Sequence, residues 1–395
     1  MRKASFLRLA SVLFGVTILA VGCPPGNIWT TTFGNTGNEA AYGIVPATGG
    51  GWAVAGSCAS LVLGASGSDM CLVRLKADGT IDWYNLFGGI GSQEAHALVR
   101  TTDGGYLLAG YTFNAGTTAD VLLVKTTSNG VQSWARSFGT SGDEAAYAVQ
   151  QTSDGGYIVA GTTQAFGGDN RDFYLVKTLA NGTVDWDQVF GAALDDLAFA
   201  VRQTSDGGYI VVGSTEVGSP STTQIYVVKT TAGGIAQWSY TYGGAGHDEA
   251  HDVLQTSDGG YLVVGATTPP TSSISDVYIV KLYPNGVVQW TRTIGGTGSE
   301  VAQAITPITG GYIIAGKVAP AGIGQSDAYL LKVDALGNKV WSKRFGAANE
   351  DVAAGVQPAA DGGFVLAGTT ASYGIGGTDM YVIKTDEFGR GSSTP

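Results

Sequence analysis

Asp154-Gly155-Gly156-Tyr157-Ile158-Val159-Ala160-Gly161 decides the fold, because the same phrase returns at a nearly fixed interval along the chain. The glycine pair ahead of an aromatic residue recurs as Gly50-Gly51-Trp52, Gly104-Gly105-Tyr106, Gly155-Gly156-Tyr157, Gly207-Gly208-Tyr209, Gly259-Gly260-Tyr261, Gly310-Gly311-Tyr312 and Gly362-Gly363-Phe364. Trp29, Trp83, Trp134, Trp186, Trp238, Trp290 and Trp341 follow one another at 54, 51, 52, 52, 52 and 51 residues. A basic residue closes each apolar segment: Arg74, Lys125, Lys177, Lys229, Lys281, Lys332 and Lys384. Seven units are in register.

Inside a unit the apolar stretches are short, rich in Val, Ile, Tyr and Thr, and bounded by Gly, Asn, Asp and Ser, which is strand chemistry. The third unit predicts strand A from Glu144 to Gln151, B from Gly156 to Thr163, C from Asp172 to Lys177 and D from Thr183 to Phe190. Ser153-Asp154-Gly155-Gly156 joins A to B, and Ala180-Asn181-Gly182 joins C to D, both as tight turns. No segment carries a helical period. The fold class is therefore all-β, a seven-bladed β-propeller of four-stranded antiparallel blades.

A stacked solenoid and a string of small domains are the rivals, and the ends of the chain argue against both. The seventh unit stops after strand C at Lys384, while Asn27 to Phe33 carries the D-strand pattern ahead of the first A strand. An N-terminal strand joining the last blade closes the ring and removes its open edge. A solenoid wants polar caps instead.

The pattern Phe-Gly-Gly-x-Gly-x-x-Glu-Ala, then Asp-Gly-Gly-Tyr, then Asp-x-Tyr-Leu-Val-Lys resembles the bacterial "beta-propeller repeat" family of secreted and cell-envelope proteins. Gly295-Gly296-Thr297-Gly298-Ser299-Glu300 and Asp276-Val277-Tyr278-Ile279-Val280-Lys281 carry it most clearly, and it extends over residues 28–386. The resemblance implies seven blades and an extracytoplasmic setting. It implies no activity.

Arg2, Lys3 and Arg8 precede an apolar stretch from Leu9 to Val21 that is short for a bilayer span, so residues 1–22 read as a signal peptide. Leu19-Ala20-Val21-Gly22-Cys23 resembles a bacterial lipobox, with Ala20 where Leu is usual; Cys23 would then be lipidated and begin the mature chain. An ordinary secretory signal with an incidental Cys is the alternative. Residues 23–27 form a short tether, 28–386 the propeller and 387–395 a polar tail. The expected location is extracytoplasmic: a membrane-anchored lipoprotein of the bacterial envelope, or a secreted protein.

The net charge is −11, and removing Arg2, Lys3 and Arg8 leaves −14. Such an acidic chain excludes nucleic acid as a partner, since phosphate binding needs a basic surface. The acids have a pattern. Glu39, Glu144, Asp196, Asp248, Glu300 and Asp351 enter strand A, with Gln93-Glu94 serving the second blade; Asp69, Asp120, Asp172, Asp276, Asp327 and Asp379 open strand C, with Gln224 the exception. A double carboxylate ring suits calcium, but recurrence in nearly every blade favours carboxylates that accept loop N–H groups. No cofactor is expected, calcium being the one candidate. The basic residue ending strand C reads as a partner of the turn Asp, which Thr48 and Thr309 replace in two units.

Ala41, Ala95, Ala146, Ala198, Ala250, Ala302 and Ala353 hold one strand A position, where blades converge and only a small side chain fits. His247-Asp248-Glu249-Ala250-His251 mimics a helical zinc pair, yet on a strand residues four apart are separated by about 13 Å, too far for one ion. His96 and His251 stand where other units have Tyr42, Tyr147 and Phe199, and read as packing or channel lining.

The B-to-C loops differ in every unit, which is where recognition is expected on a rigid scaffold. Phe113, Phe166 and Tyr373 are the candidate ligand-binding anchors there, or covers for the rim of the core. Cys58 and Cys71 flank the first such loop on neighbouring strands, as a disulfide or as two separate thiols. The functional expectation is a non-enzymatic envelope lipoprotein that binds a protein or polysaccharide through this loop face. The alternative is an enzyme of hydrolase, lyase or quinoprotein type at the channel mouth, since Gly337 to Trp341 resembles a quinoprotein repeat ending. There is no Gly-x-Ser-x-Gly elbow and the chain has three His, so no catalytic residue and no metal ligand is nominated.

Overall fold

The computed structural model describes residues 28–59, 67–113, 117–164, 170–191, 193–218, 222–320, 325–392 and 394, which fold into seven four-stranded antiparallel sheets. In blade 3 strand A is Glu144–Gln151, B is Tyr157–Thr163, C is Asp172–Thr178 and D is Val184–Phe190. Strands B and C are buried almost throughout, because blades cover both of their faces; this is why Tyr157-Ile158-Val159-Ala160 is a continuous apolar run rather than an alternating one. Strand D is the outer edge and mostly exposed.

The ring is closed by the N-terminal strand. Trp29–Phe33 lies outermost in the seventh sheet, beside Asp379–Thr385, with Trp29 opposite Lys384 and Thr32 opposite Tyr381. Strand A of blade 1, Ala40–Pro46, in turn packs on blade 7. Each junction between blades holds its own apolar cluster. At the junction of blades 4 and 5, for example, Ile210, Val212 and Val227 meet Val253, Tyr261 and Val263, all buried. Burial of a side chain of this size contributes about 1.5–3 kcal/mol, so the junctions between blades, more than the sheets themselves, hold the molecule together.

The A-to-B and C-to-D turns share one face, called here the turn face. Its staple is an ion pair: Lys125, Lys177, Lys229, Lys281 and Lys384 hold Asp103, Asp154, Asp206, Asp258 and Asp361 at 2.8–2.9 Å. The same aspartates accept from the second glycine N–H, as Asp154 does from Gly156 at 2.9 Å. Blade 1 departs from the sequence expectation. Its turn closes through Ala47 N–H to Gly51 O, as blade 3 closes through Thr152 to Gly156, so Gly49 and not Thr48 stands in the aspartate's place. Arg74 compensates by donating to the carbonyls of Thr48, Gly50 and Leu75.

Residues 386–390 close a turn of the same kind, with Asp386 accepting from Phe388 and Arg390 N–H at 2.9 and 2.8 Å. The polar tail expected from residue 387 thus begins inside the blade, and Ser392 O accepts from Thr30 Oγ1 at 2.6 Å on the closing strand.

Candidate functional site

The double carboxylate ring lies on the opposite, loop face, where its strand A members accept hydrogen bonds from the loops while Asp276 of the strand C set keeps one buried oxygen without a hydrogen bond. Glu39, Gln93, Glu144, Asp248, Glu300 and Asp351 each accept the backbone N–H four residues earlier, at 2.7–3.3 Å. Glu144 also takes the hydroxyls of Thr140 and Thr163 at 2.6 Å. Its neighbour Asp120 converges on the same glycine: a Cβ on Gly139 would stand 2.1 Å from Asp120 Oδ1 and 2.5 Å from Glu144 Oε2. Burial, and then the facing Glu144, pushes the Asp120 carboxyl up; burial and Asp196 do so for Asp172, and burial and Glu39 for Asp379. Among the described residues no three His, Cys, Asp or Glu side chains gather as metal ligands.

Of the loop anchors nominated from sequence, Phe113 and Tyr373 stand in different blades. Phe113 ends strand B of blade 2 and is 41% exposed. Tyr373 of blade 7 is half-buried, its ring centroid 5.8 Å from that of Tyr381 and its hydroxyl donating to Gly346 O at 3.2 Å. Phe166 and Cys23 lie outside the described residues. Cys58 and Cys71 are joined in a disulfide with Cα atoms 5.7 Å apart, linking strands B and C of blade 1 beneath its loop. His247 faces Thr223 Oγ1 at 3.4 Å, whereas His251 faces Glu249 at 3.3 Å.

The channel shows what sequence reasoning missed. In all seven A–B pairs the register slips at one residue, directly after the invariant Ala, and that extra residue is Tyr42, His96, Tyr147, Phe199, His251, Gln303 or Ala354. A bulge re-aims a side chain, and all seven line the axial cavity of about 210 Å³. The glycine opposite is obligatory: a Cβ on Gly161 would stand 1.8 Å from Ala145 O. Five of the seven are aromatic and form a continuous wreath, with ring centroids 4.9 Å apart for Tyr42–His96, 5.1 Å for His96–Tyr147, 5.8 Å for Tyr147–Phe199 and 5.5 Å for Phe199–His251.

Among the described residues, the charged groups that line or border the channel stand at departures from the repeat. Towards the loop face Glu249 and Glu94 sit two residues before His251 and His96; the His251 hydrogen bond holds the Glu249 carboxyl low, while burial lowers His96 against the opposing pull of Glu94. Towards the turn face Arg202 pairs with Asp252 at 2.7 Å, and Asp252 also accepts from Ile305 N–H at 3.0 Å. Asp252 occupies a position that is Gly or Ala in the other six blades. The arrangement offers stacking surfaces and hydrogen-bonding groups along the channel, with the Arg202–Asp252 pair part of its lining.

The chain is a seven-bladed β-propeller. Residues 152–185, from the A-to-B turn of blade 3 into its D strand, match the protein-family model described as a domain of unknown function (DUF5122) beta-propeller. No curated protein matches the sequence. Among solved structures it is similar to the Neurospora crassa Pan2 WD40 domain, at 11% identity over 92% of this chain and 97% of that one, with a TM-score of 0.53. A protein of unknown function from Dyadobacter fermentans gives 11% identity, 74% and 94% coverage and a TM-score of 0.51. A putative 6-phosphogluconolactonase from Bacteroides fragilis gives 13%, 79%, 85% and 0.50. At such identities the likeness is one of fold.

Proposed function

We propose that the protein is a non-enzymatic binding module of the bacterial cell envelope, anchored by a lipid on Cys23, whose loop face recognises a protein or polysaccharide. The observation that carries this reading is the direction of the closing strand. Trp29 pairs with Lys384, whose ammonium grips the turn aspartate Asp361, so the strand starts at the turn face and runs towards the loops. A tether of residues 23–27 reaches about 20 Å at full extension. An anchor on Cys23 would therefore hold the turn face to the bilayer and present the loop face outwards.

The surface chemistry supports the same orientation. Val131, Ile235, Leu336 and Phe388 stand in or beside the C-to-D turns of four blades and are 54–69% exposed, an apolar rim on the side from which the tether leaves. The test is a glycan and envelope-protein binding screen on the purified mature chain, with and without calcium, followed by exchange of single B-to-C loops. Binding that is lost with one loop and kept when the turn-face rim is altered supports the reading; no binding under any condition removes it. One observation favours an enzyme at the channel mouth, namely the Glu249–His251 pair. Under that reading a substrate-hydrolysis screen gives turnover that Glu249→Gln abolishes.

A further inference from the structure

We infer that the groove between blades 6 and 7 on the turn face is a binding site for a carboxylate carried on an apolar body. The argument starts from what the repeat leaves out there. In five blades the lysine ending strand C is neutralised by the turn aspartate. Blade 6 has Thr309 in that aspartate's place, and its A-to-B turn is one residue shorter, with four residues between the paired Pro307 and Tyr312 where blade 3 has five between Gln151 and Tyr157. The prolines at the same register position in blades 1 and 7, Pro46 and Pro358, leave the usual closure intact, so it is the missing residue that tightens the blade 6 hairpin until Ile308 pairs directly with Gly311.

Lys332 loses its partner as a result. Among the described residues its ammonium has no carboxylate within ion-pair distance and no hydrogen bond. It has also left the turn. In the five paired blades a Cβ on the second glycine would meet the lysine Nζ at 2.5–2.7 Å, whereas on Gly311 its three nearest atoms belong to the backbone of Val333 and Asp334. The facing side of the junction has changed too. Blades 2–6 carry a tyrosine after the glycine pair, and the preceding blade's aspartate acts on that hydroxyl in Tyr157, Tyr209, Tyr261 and Tyr312. Blade 7 has Phe364, which has no hydroxyl.

Both polar groups are thus gone from one junction, and a groove of about 900 Å³ opens in their place. Its walls are Pro358, Trp341, Phe364 and Phe388, with the ring centroids of Trp341 and Phe364 6.0 Å apart; Lys332 and Thr309 are its cationic and hydroxyl donors. Glu387 lies at its edge, exposed, and opposes an anion. Blade 1 lacks its aspartate as well, but there the longer Arg74 reaches three carbonyls. Blade 6 alone keeps an apolar groove beside an uncommitted ammonium. A ligand carboxylate supplies what Asp154 supplies to Lys177, and its hydrocarbon part covers Trp341 and Phe364. The volume lies within the range of small-molecule sites.

The experiment titrates the mature chain with benzoate, phenylacetate and decanoate at millimolar concentration, each against its neutral amide, and follows the Trp341 indole and Lys332 side-chain resonances by NMR. At least one acid is expected to bind about tenfold more tightly than its amide, the equivalent of about 1.4 kcal/mol. Lys332→Gln removes that preference. Insertion of one serine between Ile308 and Thr309 together with Thr309→Asp restores the turn length and aspartate of the sibling blades, raises Tm and abolishes acid binding. Acids and amides binding alike, acid binding that survives Lys332→Gln in a chain with an unchanged melting profile, or no shift with any of the three acids overturns the proposal.

Discussion

Lys229 is 2% exposed, and its ammonium is held by Asp206, Thr230 O and Gln237 Oε1 at 2.8–3.0 Å. A buried ammonium stripped of its carboxylate is costly, although Asp206 is itself half-exposed and water relieves part of the loss. Asp206→Ala is therefore expected to cost about 2–3 kcal/mol in urea unfolding, more than the removal of an ordinary surface acid. Gly139→Ala tests the loop face in the same way. Its methyl must displace Asp120 and Glu144 together, a clash worth about 1–3 kcal/mol by the usual cost of overpacking, and Asp120→Ala should recover part of it. The sequence displayed these acids and bases as a pattern, so their structural role was legible. The exact partner was not: in Thr48-Gly49-Gly50-Gly51 the run of glycines hides which residue takes the aspartate's seat, and only the Ala47-to-Gly51 hydrogen bond shows it.

At the scale of elements, the blade 3 strands end within one residue of the expected positions, because glycine and asparagine punctuate the turns so plainly. The channel wreath was not legible. A period of two assigns faces along an unbroken strand, and a bulge shifts that count by one without any change in composition. The closing strand was legible from the missing D-strand pattern after Lys384, and its energetics rest on Trp29, whose indole N–H donates to Ala77 O at 3.1 Å and whose ring lies against Gly79 of blade 1. Trp29→Ala is expected to raise hydrogen exchange in Trp29–Phe33 and Asp379–Thr385 before any other strand pair. Equal exchange in all blades would mean that the closing strand is not the weakest seam. The Cys58–Cys71 disulfide, at a sequence separation of 13, should contribute about 3 kcal/mol by limiting the unfolded chain, read as a fall in Tm under reductant that Cys58→Ser reproduces.

Across the whole molecule two sets of carboxyls, the turn aspartates and the buried acids of the loop face, respond to acid in opposite directions. On the turn face the Thr256 hydroxyl and Lys281 bring the Asp258 carboxyl down to about 2, and Asp154 is brought to about 2 by Thr152 and Lys177 against partial burial. Asp103 and Asp206 reach about 2 as well, their hydrogen bonds from lysine, threonine and glycine outweighing the burial that opposes them. Carboxyls depressed in the folded state bind protons less readily than in the unfolded chain, so their contribution is complete above the unfolded value of 3.8 and is lost as pH falls towards about 2. On the loop face burial raises Asp120, Asp172, Asp276, Asp327, Asp379 and Glu300. These groups bind protons more tightly when folded, so stability should rise as pH falls from neutrality through their elevated values, and the gain is complete near the unfolded range. The expected profile of Tm against pH is a maximum on the acid side of neutrality followed by a fall below pH 3.8. Asp120→Asn should flatten the rising limb and leave the falling one, while Asp258→Asn should weaken the falling limb alone. If both substitutions shift the same limb, the two sets of carboxyls do not carry separate electrostatic roles, and the assignment of the raised loop-face carboxyls to burial fails.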